Sequence, residues 1–200
     1  MTKFLAAYSE STDMVNEIIA EGGSRYEAMI EAVVERSPGY TGEEIKSALN
    51  NTTFLYADDE NGSLSVLEND VTRLGNYLKD VGMIASEKFK YPKAFASAFV
   101  DSGCMKDACA GKASKEGQVT IRLPEINLST AFLPLTTGEA QGIFEKYGIT
   151  LEYVKGEYTA GDDVVTYLMD GKIDIGFFGA PPPMEAMING EHIIVRPSDS

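Results

Sequence analysis

Ile173-Asp-Ile-Gly-Phe-Phe-Gly-Ala-Pro-Pro-Pro-Met-Glu-Ala-Met-Ile-Asn-Gly190 is the stretch around which the rest of the chain can be read. Ile173, Ile175, Phe177 and Phe178 form an apolar run of strand length, rich in β-branched and aromatic residues. Gly179 and Ala180 then bring the backbone close to whatever lies beyond the strand. Pro181, Pro182 and Pro183 have φ fixed near the helical value and no N–H, which suits the first turn of a helix. Met184, Ala186, Met187 and Ile188 continue that helix, and Asn189-Gly190 ends it. The pattern is a strand, a tight turn and a helix whose N-terminus overlooks the strand's C-terminal edge. In open α/β sheets that edge is where small ligands bind. Three prolines remove three amide donors, so an anion is held less well here than by a glycine-rich loop. Binding would use the N–H groups of Gly179 and Ala180 together with shape, and Pro181–Pro183 read first as a stiff entry to the helix.

Working outward, the second half of the chain alternates strand and helix. Residues 118–123 predict a strand with Val119, Ile121 and Leu123 on one face, and 124–130 a loop. Helix is predicted over about 131–146, strand over 149–154, loop over 156–161 and helix from Asp162 or Asp163 to Met169, stopped by Gly171. Residues 173–178 give the third strand and Ile193, Ile194 and Val195 begin a fourth. This order implies parallel pairing with right-handed crossovers. Four strands followed by little else leave sheet faces to be covered by the first half of the chain or by a partner.

The first half is helical. Phe4, Leu5, Tyr8, Thr12, Val15, Ile18 and Ile19 recur at helical spacing over 2–21, and Gly22-Gly23 stops the run. A helix beginning so abruptly is what a chain cut from a longer ancestor would give. Residues 24–36 predict a second helix capped by Ser24, with Met29, Ile30, Val33 and Val34 inside. Thr41, with Glu44 three residues on, predicts a capping box for a third carrying Ile45, Ala48 and Leu49 inside. Residues 52–57 read as extended and 58–63 as an acidic turn. A helix over 64–80 carries Leu64, Leu67, Val71, Leu74, Tyr77 and Leu78 on one stripe and ends at Gly82. Residues 92–110 suggest one or two short helices. Gly111–Gly117 is polar and small and reads as a linker between unlike halves, 1–111 and 118–200, with 112–117 between them.

Composition narrows the function. Of 200 residues, 17 are Lys or Arg and 31 are Asp or Glu, a formal net charge of −14. A surface this acidic repels nucleic-acid phosphates and anionic lipid, so neither is an expected partner. No apolar run reaches the roughly 20 residues a membrane span needs. No secretory signal is readable, so the chain as written is expected in the cytoplasm, or outside it if it is part of a longer exported protein. Cys104 and Cys109 read as ordinary thiols; two cysteines are too few for a zinc site. His192, the only histidine, reads as a strand-end residue. No Ser/His/Asp set, HExxH motif or Walker glycine loop is present, Asp162-Asp163 read as helix caps, and Asp58-Asp59-Glu60 lacks the ligand spacing of a calcium loop. The expectation is therefore no enzyme, no cofactor and no metal.

Three motifs carry a resemblance: Val119-Thr-Ile-Arg-Leu-Pro-Glu-Ile-Asn127, Gly142-Ile-Phe-Glu-Lys-Tyr-Gly-Ile-Thr-Leu-Glu-Tyr153, and Leu168-Met-Asp-Gly-Lys-Ile-Asp-Ile-Gly-Phe-Phe-Gly179. Residues 118–195 resemble the N-terminal lobe of the substrate-binding proteins of ABC importers, in the nitrate, sulfonate and taurine branch of the type-II periplasmic binding proteins. The first half resembles the same family's C-terminal end, through Phe4-Leu-Ala-Ala-Tyr8 with Thr12-Asp-Met-Val-Asn16, and through Glu68-Asn-Asp-Val71 with Leu78-Lys-Asp-Val-Gly-Met-Ile84. The order is inverted, tail before head, and the middle that would build the second lobe is absent. In that family the first lobe is made from both chain ends. The resemblance therefore implies one α/β lobe, a mostly parallel sheet of about four to five strands flanked by helices, formed by circular permutation. A fragment straddling two tandem binding proteins and a domain-swapped dimer are the alternatives.

The implied ligand rim collects three loops. Asn127, Ser129 and Thr130 offer neutral donors and acceptors at a helix N-terminus, where Ser129 and Thr130 can equally cap the helix. Tyr158 and Thr159 add an aromatic face and a hydroxyl, and Gly179, Ala180 and Pro181 complete the set. The expected ligand is a small polar solute such as a sulfonate, nitrate, bicarbonate or a pyrimidine. The expected partners are an ABC permease and a second copy of the chain. Two other roles fit the same resemblance: a regulatory or vestigial binding module acting as a dimer, and an enzyme of thiamine pyrimidine-precursor biosynthesis. The cysteine-rich metal motif of the latter is missing here.

Overall fold

A computed structural model describes residues 2–37, 39–52, 54, 64–83, 116–125, 132–177, 179 and 181–188. Among them the chain is mixed α/β, with eight helices and a parallel pair of strands. In chain order these are α1 (Thr2–Glu21), α2 (Gly23–Arg36), α3 (Gly42–Leu49), α4 (Leu64–Asp80), β1 (Val119–Pro124), α5 (Leu133–Ala140), α6 (Ile143–Lys146), β2 (Ile149–Val154), α7 (Gly161–Met169) and α8 (Pro181–Ile188). The expected strand at 193–195, helices at 92–110, acidic turn at 58–63 and most of the linker lie outside the described residues.

α1 is the element that joins the halves. Its inward stripe is Phe4, Ala7, Ser11, Val15 and Ile18, at the three- and four-residue spacing of one helix face. The buried hydroxyls on it bond back one turn, Ser11 Oγ to the Ala7 carbonyl at 2.7 Å and Thr12 Oγ1 to that of Tyr8 at 3.0 Å. The first turns of α1 pack into one interior with Ile121 and Leu123 of β1, Leu135 of α5, Ile143 and Phe144 of α6, and Ile149 of β2. Its later turns pack with Met29, Ile30 and Val33 of α2, Ile45 and Leu49 of α3, Phe54 and Leu133. Lys3 Nζ also donates to the Gly117 carbonyl at 2.9 Å, holding the start of α1 to the chain as it enters β1.

Local chemistry sets most element ends. Thr41 and Glu44 form the predicted capping box, Glu44 N–H donating to Thr41 Oγ1 at 3.3 Å and Thr41 N–H to Glu44 Oε2 at 2.8 Å. Gly82, at φ 75°, ends α4 in a Schellman motif, with Met83 N–H on the Leu78 carbonyl and Gly82 N–H on that of Lys79. Four details differ from the sequence reading. The cap position of α2 is Gly22, with no side-chain hydrogen bond, rather than Ser24. Ala48 and Tyr77, expected inside, face outward, Tyr77 at 61% exposure. The single helix expected over 131–146 is broken into α5 and α6, since Gly142 adopts the left-handed conformation at φ 68°. The third strand is the fourth difference.

β1 and β2 pair in parallel with Val119 opposite Ile149 and Pro124 opposite Val154. Ile121, Leu123 and Ile149 face the interior shared with α1, while Thr120, Thr150 and Glu152 face outward and are exposed. Residues 173–177 lie along the other edge of β1 but do not form a strand. The reason is visible at Arg122. Its carbonyl accepts the Asp174 N–H at 2.9 Å, one of the two bonds of a parallel pairing. Its N–H, which would complete the pairing with a backbone carbonyl, instead donates to the Asp174 carboxylate, Oδ2, at 2.8 Å. Pro124, next along the same edge, has no N–H to give.

Candidate functional site: the C-terminal rim of the sheet

The rim is built where β1, β2 and the 173–177 segment end. Glu125 N–H donates to the Val154 carbonyl at 2.9 Å, carrying the parallel pairing one step past β1. Beyond β2 the chain turns through Lys155–Ala160 into α7, and beyond Phe177 it turns through Gly179 into α8, which packs on α7. Of the sequence-predicted rim residues, Tyr158, Thr159, Gly179 and Pro181 are described, and Asn127, Ser129, Thr130 and Ala180 lie outside the described residues.

Tyr158 folds back over its own strand. Its hydroxyl donates to the Val154 carbonyl at 2.9 Å, and its ring stands 4.8 Å from that of Tyr167 at an interplanar angle of 57°. Burial pushes the Tyr158 phenol above its ordinary value; the neighbouring Tyr167 and Glu125 add to this and Lys172 opposes it. The corner is closed by Gly156. A Cβ there would lie 2.9 Å from Tyr158 Cζ and equally close to the Tyr167 ring, so only glycine lets both rings sit where they do. Lys172 Nζ lies 4.6 Å from the centre of the Tyr167 ring and pairs with Asp170 at 2.9 Å.

Thr159 serves the helix that follows. Its hydroxyl and N–H donate to Asp163 Oδ2 at 2.7 and 2.8 Å, and Ala160 N–H donates to the same oxygen at 3.0 Å. The Thr159 hydroxyl, then the two backbone donors, hold the Asp163 carboxyl below the usual carboxylate range. The predicted capping of α7 by an aspartate is thus made by Asp163, from inside the first turn, with Ala160 at the cap position. Both hydroxyls of this loop therefore give their protons to local structure. What they keep for a ligand is the capacity to accept.

On the third loop, Pro181 opens α8 half-buried and Pro183 is buried, in keeping with a stiff helix entry. A Cβ at Gly179 would meet the Pro181 ring at 3.7 Å, an ordinary contact, so the glycine that packing demands on this rim is Gly156. Under the rim, Phe177 stacks on Tyr8 of α1 with centroids 6.3 Å apart and meets Phe132 edge-on at 5.2 Å. Sequence reasoning missed Gly156 and Tyr167. Two tyrosines nine residues apart, on a loop and on the helix after it, with a glycine just before the first, was the signal available.

Among the described residues no group of three or more His, Cys, Asp or Glu side chains could hold a metal ion, and no helix is long and apolar enough to cross a membrane. His192, Cys104 and Cys109 lie outside the described residues. Comparison of the chain with protein-family models, with curated proteins and with solved structures returns no match.

Proposed function

We propose that the chain is a permuted lobe of the type-II binding-protein kind, which holds a small polar solute at its sheet rim as the substrate-binding component of an ABC-type importer, or as part of one. The observation that carries the reading is the interior shared by Phe4, Ala6 and Ala7 with Ile121, Leu123 and Ile149. These are the two segments whose order is inverted relative to the family, and they close one core between them. The finer architecture, a sheet of four to five strands, belongs to the same proposal. Its support is the Asp174 N–H on the Arg122 carbonyl, which aligns a third segment beside β1 on the side away from β2.

The lobe performs no chemistry in this reading. Tyr158 and Thr159 offer only lone pairs, which serve N–H or O–H groups of a solute, and donors for an anion are expected from the Gly179 N–H and from Asn127, Ser129 and Thr130. A neutral hydrogen-bonding rim on an acidic chain suits a small solute of low charge, and a single lobe supplies about half of the contacts of a two-lobed cleft. Affinity is therefore weak unless a second copy or a permease closes the rim. Thermal unfolding with a sulfonate, nitrate, bicarbonate and a hydroxymethylpyrimidine tests this. A ligand at a hundred times its Kd adds ~2.7 kcal/mol, a rise in Tm of about 5–10 °C for a chain of this size. A panel in which every member leaves Tm unchanged at millimolar concentration overturns the transport reading.

A further inference from the structure

On the outer edge of β1, Arg122 presents an N–H and a carbonyl pointing away from β2. In a parallel pairing with a third strand, Arg122 N–H would donate to the carbonyl of Lys172 and Arg122 carbonyl would accept from Asp174 N–H. The second of these bonds is present at 2.9 Å. The first is replaced: Asp174 Oδ2 accepts Arg122 N–H at 2.8 Å and Arg122 Nε at 3.0 Å, and Oδ1 accepts Arg122 Nη2 at 2.7 Å. One carboxylate thus occupies the position of the missing carbonyl and is clamped there by the guanidinium. Ile173, immediately before it, is buried, so the segment is docked on the sheet without joining it.

We propose that Asp174 is a charge-operated strand switch. Ionised, it substitutes for a backbone carbonyl and holds residues 173–177 beside the sheet; neutral, it releases Arg122 N–H to the Lys172 carbonyl and the segment becomes the third parallel strand. The inference rests on the hydrogen-bond pattern at Arg122 and not on the solute reading. The groups that face the switch are Arg122 from β1, Glu152 opposite it on β2, and Asp174 itself. Lys172 does not compete for the carboxylate, because its ammonium lies on Asp170 and over Tyr167. The consequence reaches the rim, since Phe177, Gly179 and Pro181 follow directly from the switched segment.

Two amides report the state. Strand formation would place Gly176 N–H on the Pro124 carbonyl while Arg122 N–H keeps an acceptor. In Asp174→Ala, amide hydrogen exchange at Gly176 is expected to slow about tenfold or more, with Arg122 remaining protected. Loss of protection at Arg122 with no gain at Gly176 overturns the proposal and leaves Asp174 as a simple clamp. Asp174→Asn, which keeps the shape and one acceptor, gives the same reading if the alanine variant does not fold: slower exchange at Gly176 than in the parent chain supports the switch, and unchanged or faster exchange overturns it.

Discussion

The two ends of α1 face interiors of different character. The N-terminal turns meet the sheet through an aromatic and several very small residues: Phe4 lies 5.6 Å from Phe144 and 6.0 Å from Tyr8, and Ala6, Ala7 and Ser11 are all buried. The C-terminal turns meet α2 and α3 through branched aliphatics, Val15 and Ile18 against Ile30, Val33, Ile45 and Leu49. Where helix packs on helix, side chains of similar size can exchange places at modest cost. Where one helix must approach a strand pair and two further helices at once, shape is fixed by single atoms. Gly138 of α5 is the clearest case, since a Cβ there would lie 2.0 Å from Ser11 Oγ and 2.8 Å from the Phe144 ring. The seam between the two halves of the chain is therefore the fitted part of the molecule, and the helical end is the forgiving part.

The largest test of that contrast is truncation on each side. Phe144 is fully buried in the seam, and Phe144→Ala is expected to cost about 4 kcal/mol by denaturant unfolding, as for a buried aromatic that leaves a cavity. Ile18→Val, in the helical interior, is expected to cost about 1 kcal/mol. Equal costs would erase the distinction. A middle-sized test adds a methyl instead. Gly138→Ala gains helix propensity of about 1 kcal/mol but overpacks against Ser11 and Phe144, and a net loss of about 2 kcal/mol is expected. Ser11→Gly in the same chain should recover part of it. Gly42→Ala is the control on the other side, where the new Cβ would stand 3.4 Å from Ile30 Cγ2, and a change within about 0.5 kcal/mol is expected.

The same contrast explains what the sequence could and could not disclose. Periodicity located α1, the helical interior and both strands, because burying a stripe or alternating a face leaves a pattern in residue type. The Thr41–Glu44 box and the Gly82 terminus were legible because caps depend on neighbours three or four residues away. The departure at the third strand involves a partner that spacing cannot supply. Arg122 and Asp174 are fifty-two residues apart, and nothing local says that a carboxylate will take the place of a carbonyl. Gly142 passes unmarked inside a helix predicted to run over about 131–146, and its left-handed conformation shows only where α6 packs against β2. At the rim, Tyr158 and Thr159 were identifiable as polar groups on the loop after β2. That both hydroxyls donate locally, to Val154 and Asp163, depends on how the loop turns.

The smallest effect concerns the polar clasp at the margin of the seam. Glu10 of α1 accepts the Tyr147 hydroxyl at 2.9 Å and pairs with Lys146 at 2.5 Å, Lys146 being the last residue of α6 and Tyr147 the next. Burial, and then the bond to Glu10, push the Tyr147 phenol up to about 12, from an ordinary value near 10. A phenol raised in the folded state favours folding while it is protonated. Its contribution is complete below pH 10 and is lost as pH rises from 10 towards 12, because the unfolded chain gives up that proton first. Tyr147→Phe removes both the bond and the titration. At pH 8 the variant is expected to be less stable by about 1 kcal/mol, the net value of one hydrogen bond. Between pH 10 and 12 the two curves should approach and then cross, since a rise from 10 to about 12 outweighs one hydrogen bond and the other tyrosines and lysines titrate alike in both proteins. Denaturant unfolding at steps from pH 8 to 11.5 reads the difference directly. Parallel curves across that range would mean that Glu10 and Tyr147 do not hold α1 to α6, and that the seam depends on its apolar fit alone.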